Sequence, residues 1–83
     1  MEYEFVELKQ KHIEAWSKEL PKAEETPMPV YNGAVVRAAL KAGWFKDCKV
    51  KPEEVGEMSP AVVRKLAEKI VKEYADLMKV SPE

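Results

Sequence analysis

The fold is decided by residues 59–79, which read SPAVVRKLAEKIVKEYADLMK. Ser59 is a favoured helix N-cap, and Pro60 suits the first helical position, where the missing N–H would have no helical partner. Apolar side chains then recur at helical spacing and cover about half of the circumference, while charged side chains occupy the rest. The pattern predicts a helix from Pro60 to about Lys79. A face this wide is expected to touch two elements, or one element and a partner chain.

Two segments further upstream also show helical periodicity. Residues 3–20 place Phe5, Leu8 and Trp16 on one apolar arc that stops at Pro21, although the first few residues could instead be extended. A second helix is predicted to begin within residues 29–32 and to end at Gly43 as a left-handed cap. This second helix is apolar around most of its circumference, which is typical of a buried central helix.

The connector before the last helix carries a weaker helical signal. Residues 51–56 read KPEEVG, with Pro52 suited to a first helical position and Gly56 closing the turn. Together the segments predict an all-α fold, a small three-helix domain with an extra short helical turn near residues 52–55. A length of 83 residues fits a single domain over residues 1–83 and leaves no room for a second core.

Composition narrows the class of protein. The chain has 14 Lys plus Arg against 15 Asp plus Glu, and this near-neutral balance disfavours bulk polyanion binding. One cysteine excludes a disulfide framework, and no apolar run is long enough to span a bilayer. Met1 is followed by Glu2 and Glu4, the wrong charge for a signal peptide. We therefore expect a cytoplasmic protein that does not enter a membrane.

Candidates for chemistry are few. His12 lies on the apolar arc of the first helix, but metal sites need several ligands and the chain has no other histidine. Cys48 is flanked by Lys46 and Lys49, which would favour a thiolate, yet it has no histidine partner nearby in sequence. We interpret both residues as structural. The expectation is a protein that is not an enzyme and that uses no cofactor or metal.

The apolar surplus and an uneven charge distribution suggest binding partners instead. Residues 27–51 contain five basic residues against Asp47 alone. A protein partner or self-association is the leading hypothesis, and a small nucleic-acid-binding module that uses the basic band Arg37–Lys51 is the alternative. Trp44 and Phe45 are expected to pack in the core, though one of them could remain exposed. The candidate partner surface consists of Arg37, Lys41, Trp44, Lys46, Val71 and Met78.

One resemblance gives this hypothesis a more specific form. The string VVRAALKAGWF at residues 35–45, the later MSP at residues 58–60, and LAEKI at residues 66–70 resemble small helical proteins encoded by tailed phages and prophages. Some of those proteins are similar to tail assembly chaperones, which coat the tape-measure protein while the tail is built. The resemblance implies a phage-type interaction protein, with the tape-measure protein as its expected partner.

Overall fold

The protein is seen in a computed structural model that describes residues 4–46 and 49–79. The elements in chain order are α1 (Gln10–Lys18), a first 3₁₀ helix (Ala23–Glu25), α2 (Met28–Lys41), a second 3₁₀ helix (Pro52–Glu57) and α3 (Pro60–Leu77). The described residues form no sheet, only an isolated antiparallel bridge between Phe5 and Phe45. The predicted small all-α fold is confirmed, and the short helical turn near residues 52–55 is the second 3₁₀ helix.

α3 begins where the sequence predicts. The hydroxyl of Ser59 accepts a hydrogen bond from the Ala61 N–H at 3.3 Å, and Pro60 is the first helical residue. The helix buries the inner half of its apolar face, with Ile70 fully enclosed. The outer half of that face is exposed to solvent. Its exposed members are Val62, Val71, Leu77 and Met78.

α2 is the central helix, since it contacts α1, the second 3₁₀ helix and α3. Its C-terminus is closed by Gly43, whose φ of 75° lies in the left-handed region. The Gly43 N–H donates to the Leu40 carbonyl at 3.3 Å, and the Trp44 N–H donates to the Ala39 carbonyl at 3.0 Å. This pair of hydrogen bonds is a Schellman motif, which turns the chain back over the core. The predicted left-handed cap is confirmed.

α1 is shorter than the periodicity of residues 3–20 indicates, because the helix begins at Gln10. Residues 4–9, which precede it, are not helical, and residues 4–6 lie against the end of α2. The Val6 N–H donates to the Trp44 carbonyl at 2.9 Å, and the Lys46 N–H donates to the Glu4 carbonyl at 2.7 Å. We call residues 4–8 the N-terminal strap. Of the two possibilities that the sequence leaves open for this segment, the structure shows the non-helical one in residues 4–9, because this long-range pairing outweighs the local helical preference.

Aromatic rings connect the strap with all three helices. Phe5 stacks on Phe45 at 5.2 Å and meets Trp44 edge-on at 6.2 Å between ring centroids. Trp16 then lies 4.9 Å from Trp44 and 5.1 Å from Tyr74 of α3. Such ring pairs contribute beyond the area that they bury. The row of five rings therefore ties the strap, α1, the end of α2 and α3 into one core.

Both tryptophan N–H groups inside this core are satisfied. Nε1 of Trp16 donates to the Val35 carbonyl at 3.1 Å, and Nε1 of Trp44 donates to the His12 carbonyl at 2.9 Å. Each bond joins α1 to α2 or to its C-terminal turn, so the tryptophans fix the position of α1 as well as filling space. An unpaired indole N–H would instead carry a desolvation cost.

Candidate protein-binding groove

An open apolar groove runs between the N-terminal half of α2 and the middle of α3. It consists of two adjoining cavities with volumes of about 930 Å³ and 460 Å³. Met28, Asn32 and Glu68 line both cavities, so the two cavities are neighbours, and we call them together the α2–α3 groove. Ligand pockets typically enclose a few hundred to a thousand Å³, and this groove is large on that scale.

The rim of the groove is unusually apolar for exposed surface. Met28 is 68% exposed and Val30 is 57% exposed, and both belong to the first turn of α2. Val71, on the exposed side of α3, lines the smaller cavity. Contiguous exposed apolar surface marks interaction sites more often than isolated apolar residues do. Methionine is also well suited to such a site, since its flexible thioether chain adapts to different partners.

Two glycines and an arginine shape the larger cavity. Gly33 of α2 and Gly56 of the second 3₁₀ helix both line it. A Cβ atom at Gly33 would lie 3.6 Å from Nη1 of Arg37, and one at Gly56 would lie 3.6 Å from Nη2. The guanidinium of Arg37 therefore spans the space between the two helices. Glycine at these positions leaves the guanidinium uncovered on the groove side.

The charged groups of the groove are mostly cations. Arg37 and Arg64 line the larger cavity, Lys72 lines the smaller one, and Glu68 lines both. Nε of Arg64 lies 3.5 Å from a carboxylate oxygen of Glu68, so the acidic residue is already paired. Among the described residues, the guanidinium of Arg37 has no hydrogen-bond or ion-pair partner. The groove consequently offers an unpaired five-donor group beside apolar walls.

The structure brings some of the candidate surface residues together and separates others. Arg37 and Val71 line the α2–α3 groove. Lys41, Lys46 and Met78 are exposed but line neither cavity. The candidate surface inferred from the sequence therefore divides into a groove part and a remainder that lies elsewhere.

The prediction that Trp44 belongs to the partner surface is wrong, because this residue is 0% exposed and cannot contact a partner. Phe45 is also buried, so neither ring of this pair is available at the surface. The Schellman turn and the stacking of Phe45 on Phe5 explain how consecutive side chains are both enclosed.

Sequence reasoning missed Met28 and Val30, which define the rim. They lie in the run PMPV at residues 27–30, whose prolines favour the prediction of a loop. In the structure Pro29 occupies the first turn of α2, where its lack of an N–H is tolerated. Two large apolar residues on either side of Pro29 at a helix start were the available signal, and both are exposed in the structure.

The candidates for chemistry have structural surroundings or lie outside the described residues. Nδ1 of His12 accepts a hydrogen bond from the Lys9 N–H at 2.9 Å, which caps the start of α1. Cys48 lies outside the residues that the structure describes. Within residues 4–46 and 49–79, no three His, Cys, Asp or Glu side chains are grouped to hold a metal ion. None of the described helices combines the length and apolar character needed to cross a membrane.

Comparisons with known proteins add no assignment. No family model matches the chain, and no curated protein or solved structure is significantly similar to it.

Proposed function

We propose that this protein is a non-enzymatic interaction protein that binds an apolar helix of a protein partner in the α2–α3 groove. The observation that carries the proposal is the exposed apolar rim, where Met28 and Val30 border an open groove between two packed helices. Docking of an amphipathic helix into an apolar groove is a recurrent mode of recognition. The groove walls are helices held by a well-packed core, which suits a preformed binding site.

Binding in this groove would cover apolar surface on both partners. The apolar side chains of the bound helix would leave water, and so would Met28, Val30 and Val71. Each large apolar side chain that becomes fully buried contributes about 1.5–3 kcal/mol before the costs of association are subtracted. The protein would thus shield an apolar helix that would otherwise associate with other chains.

The resemblance to small phage and prophage proteins makes the proposal more specific. We infer that the protein acts as a tail assembly chaperone and that the shielded helix belongs to a tape-measure protein. It would then work in the cytoplasm of the host cell, where tails are built. The alternative function, nucleic-acid binding through the basic band Arg37–Lys51, has weaker support because Trp44 and Phe45 are buried and cannot stack on bases.

Two matched valines allow a direct test. Val30 and Val62 each occupy the third position of a helix, and each is exposed, but only Val30 lines the groove. We expect Val30→Asp to weaken binding of a tape-measure fragment by about tenfold or more, since a carboxylate would be buried against apolar side chains. Val62→Asp should change the affinity by less than about twofold. Titration calorimetry and gel filtration with light scattering measure both effects.

Both variants should fold, because an aspartate near a helix N-terminus interacts favourably with the helix dipole. Thermal melts of the free proteins provide this control. A strict monomer that takes up no tape-measure fragment would contradict the chaperone proposal. Unchanged binding in Val30→Asp, or an equal loss in both variants, would contradict binding in the α2–α3 groove.

A further inference from the structure

Arg37 is placed to select what enters the α2–α3 groove. Its guanidinium lies against Gly33 and Gly56, within the larger cavity, and has no ion-pair partner among the described residues. Arginine presents a planar fork of donors that fits a carboxylate with two parallel hydrogen bonds. An unpaired fork beside apolar walls is therefore a receptor for an acidic group.

The other charges of the groove point the same way. Arg64 and Glu68 form an ion pair and offset each other, so Arg37 and Lys72 carry the net positive charge of the groove. An occupant with acidic side chains would meet attraction along the groove, whereas a basic occupant would meet repulsion. Charge complementarity of this kind governs partner choice and association rate more than total affinity.

The two glycines support a binding role for this position. Glycine inside a helix such as α2 is destabilising relative to alanine. A methyl group at Gly33 would meet only ordinary contact distances, so the protein's own packing does not require glycine there. A side chain at either glycine would instead cover part of the guanidinium. Because neither glycine has a side chain, the donor groups of Arg37 remain accessible to a ligand.

We propose that the α2–α3 groove selects amphipathic helices that carry an acidic side chain beside their apolar anchors, and that Arg37 binds this carboxylate. The inference rests on the proposed function, since it names the chemistry of the helix that the groove takes. Arg37 serves here as a specificity-determining residue. The apolar rim at Met28 and Val30 supplies the anchoring surface, and Arg37 sets which helices fit it.

The test uses two synthetic amphipathic helices of about 15 residues, long enough for helical structure to form on binding. They share one apolar face of leucines and differ only in flanking residues, which are glutamates in one peptide and glutamines in the other. Fluorescence anisotropy with the full chain gives the affinity of each peptide. We expect the glutamate peptide to bind about tenfold more tightly to the unaltered protein.

Substitutions at Arg37 should remove this preference. In Arg37→Gln, the two peptides should bind within about twofold of each other, because the fork is gone. Arg37→Lys should keep part of the preference, since it retains the charge without the bidentate geometry. Lys41→Gln is the matched control: it removes a cation from the same exposed side of α2, but Lys41 does not line the groove. This control should leave the preference intact.

Failure of this inference is distinguishable from failure of the proposed function. Equal binding of both peptides to the unaltered protein, or a preference that survives Arg37→Gln, would overturn the selection of acidic helices while leaving a helix-binding groove. Binding of neither peptide would also overturn it, and the tape-measure titration would decide the proposed function separately. Arg37-dependent binding of a single-stranded oligonucleotide that displaces the glutamate peptide would show that the anion is a phosphate.

Discussion

Gly33 and Gly43 occupy backbone conformations in which alanine has opposite effects. Gly33 lies inside α2, where its φ is not positive, and an added Cβ would contact only Arg37 at 3.6 Å. We expect Gly33→Ala to raise the free energy of unfolding by about 0.5–1 kcal/mol. Gly43 has a φ of 75°, so Gly43→Ala should lower the free energy of unfolding by about 1–2 kcal/mol. Urea unfolding of both variants provides the measurement.

The opposite signs are the sensitive part of this prediction. If both variants lost stability by a similar amount, Gly33 would be required by the packing of α2. A neutral Gly43→Ala would mean that the turn after α2 does not hold a left-handed residue. Peptide binding by Gly33→Ala, measured beside its stability, then shows whether the gain in stability comes with reduced access to Arg37.

At the scale of the helix, α3 depends on a local cap. The Ser59 hydroxyl accepts from the Ala61 N–H at 3.3 Å, which is long for such a bond. We expect Ser59→Ala to destabilise the protein by about 0.5–1 kcal/mol, the lower part of the range for caps. Ser59→Asp should be tolerated, because a carboxylate caps the helix and interacts favourably with the helix dipole. Thermal melts compare both variants with the unaltered protein.

Ser17→Ala is the matched control for the cap, since Ser17 is an exposed serine inside α1. Ser17 lies in the last turn of α1, and its hydroxyl makes no hydrogen bond among the described residues, so this variant should be close to neutral. If Ser59→Ala behaves like Ser17→Ala, the hydroxyl of Ser59 contributes nothing to the start of α3.

The elements differ in how far the sequence predicts them, and the difference follows from the range of their interactions. α3 and the Gly43 turn depend on neighbours in the chain, such as the Ser59–Pro60 pair, so their signals are local. The strap depends on pairing with residues 44–46, which are distant in sequence. Phe5 and Leu8 have the spacing of a helix face, yet their partners are reached by a chain that is not helical there. Tertiary contacts override such a periodicity.

The same argument applies to the groove. Arg37 and Val71 could be named as surface candidates because each stands out on its own helix. Their position in neighbouring cavities depends on how α2, α3 and the second 3₁₀ helix pack together. Nothing in the spacing of residues along the chain places Gly33 and Gly56 on the two sides of one guanidinium. The binding surface is thus a property of packing, whereas its individual members are properties of each helix.

At the scale of the whole molecule, the strap closes the ring row across the core. Phe5 contacts both Phe45 and Trp44, and two backbone hydrogen bonds hold the segment. We expect Phe5→Ala to increase hydrogen exchange at the Val6 and Lys46 amides, which donate those bonds, while amides in the middle of α3 stay protected. Local opening of this kind leaves the rest of a domain folded. Native-state exchange followed by NMR measures each amide separately.

Glu7→Ala is the control for this experiment, because Glu7 is an exposed residue of the same strap. It should leave exchange at Val6 and Lys46 unchanged. If exchange in Phe5→Ala became faster throughout α3 to the same extent as at Val6 and Lys46, the strap and the helices would unfold as one unit.

The closeness of the two indoles also has an optical consequence. The ring centroids of Trp16 and Trp44 are 4.9 Å apart and their planes are inclined by 43°. Chromophores that are this close and mutually tilted couple their electronic transitions, and the coupled transitions absorb left and right circularly polarised light to different extents. We therefore expect the far-ultraviolet dichroism of the folded protein to contain a tryptophan couplet in addition to the helical signal. Because the couplet requires the two rings to stay close together, it should disappear when α1 separates from the end of α2, even if each helix remains folded.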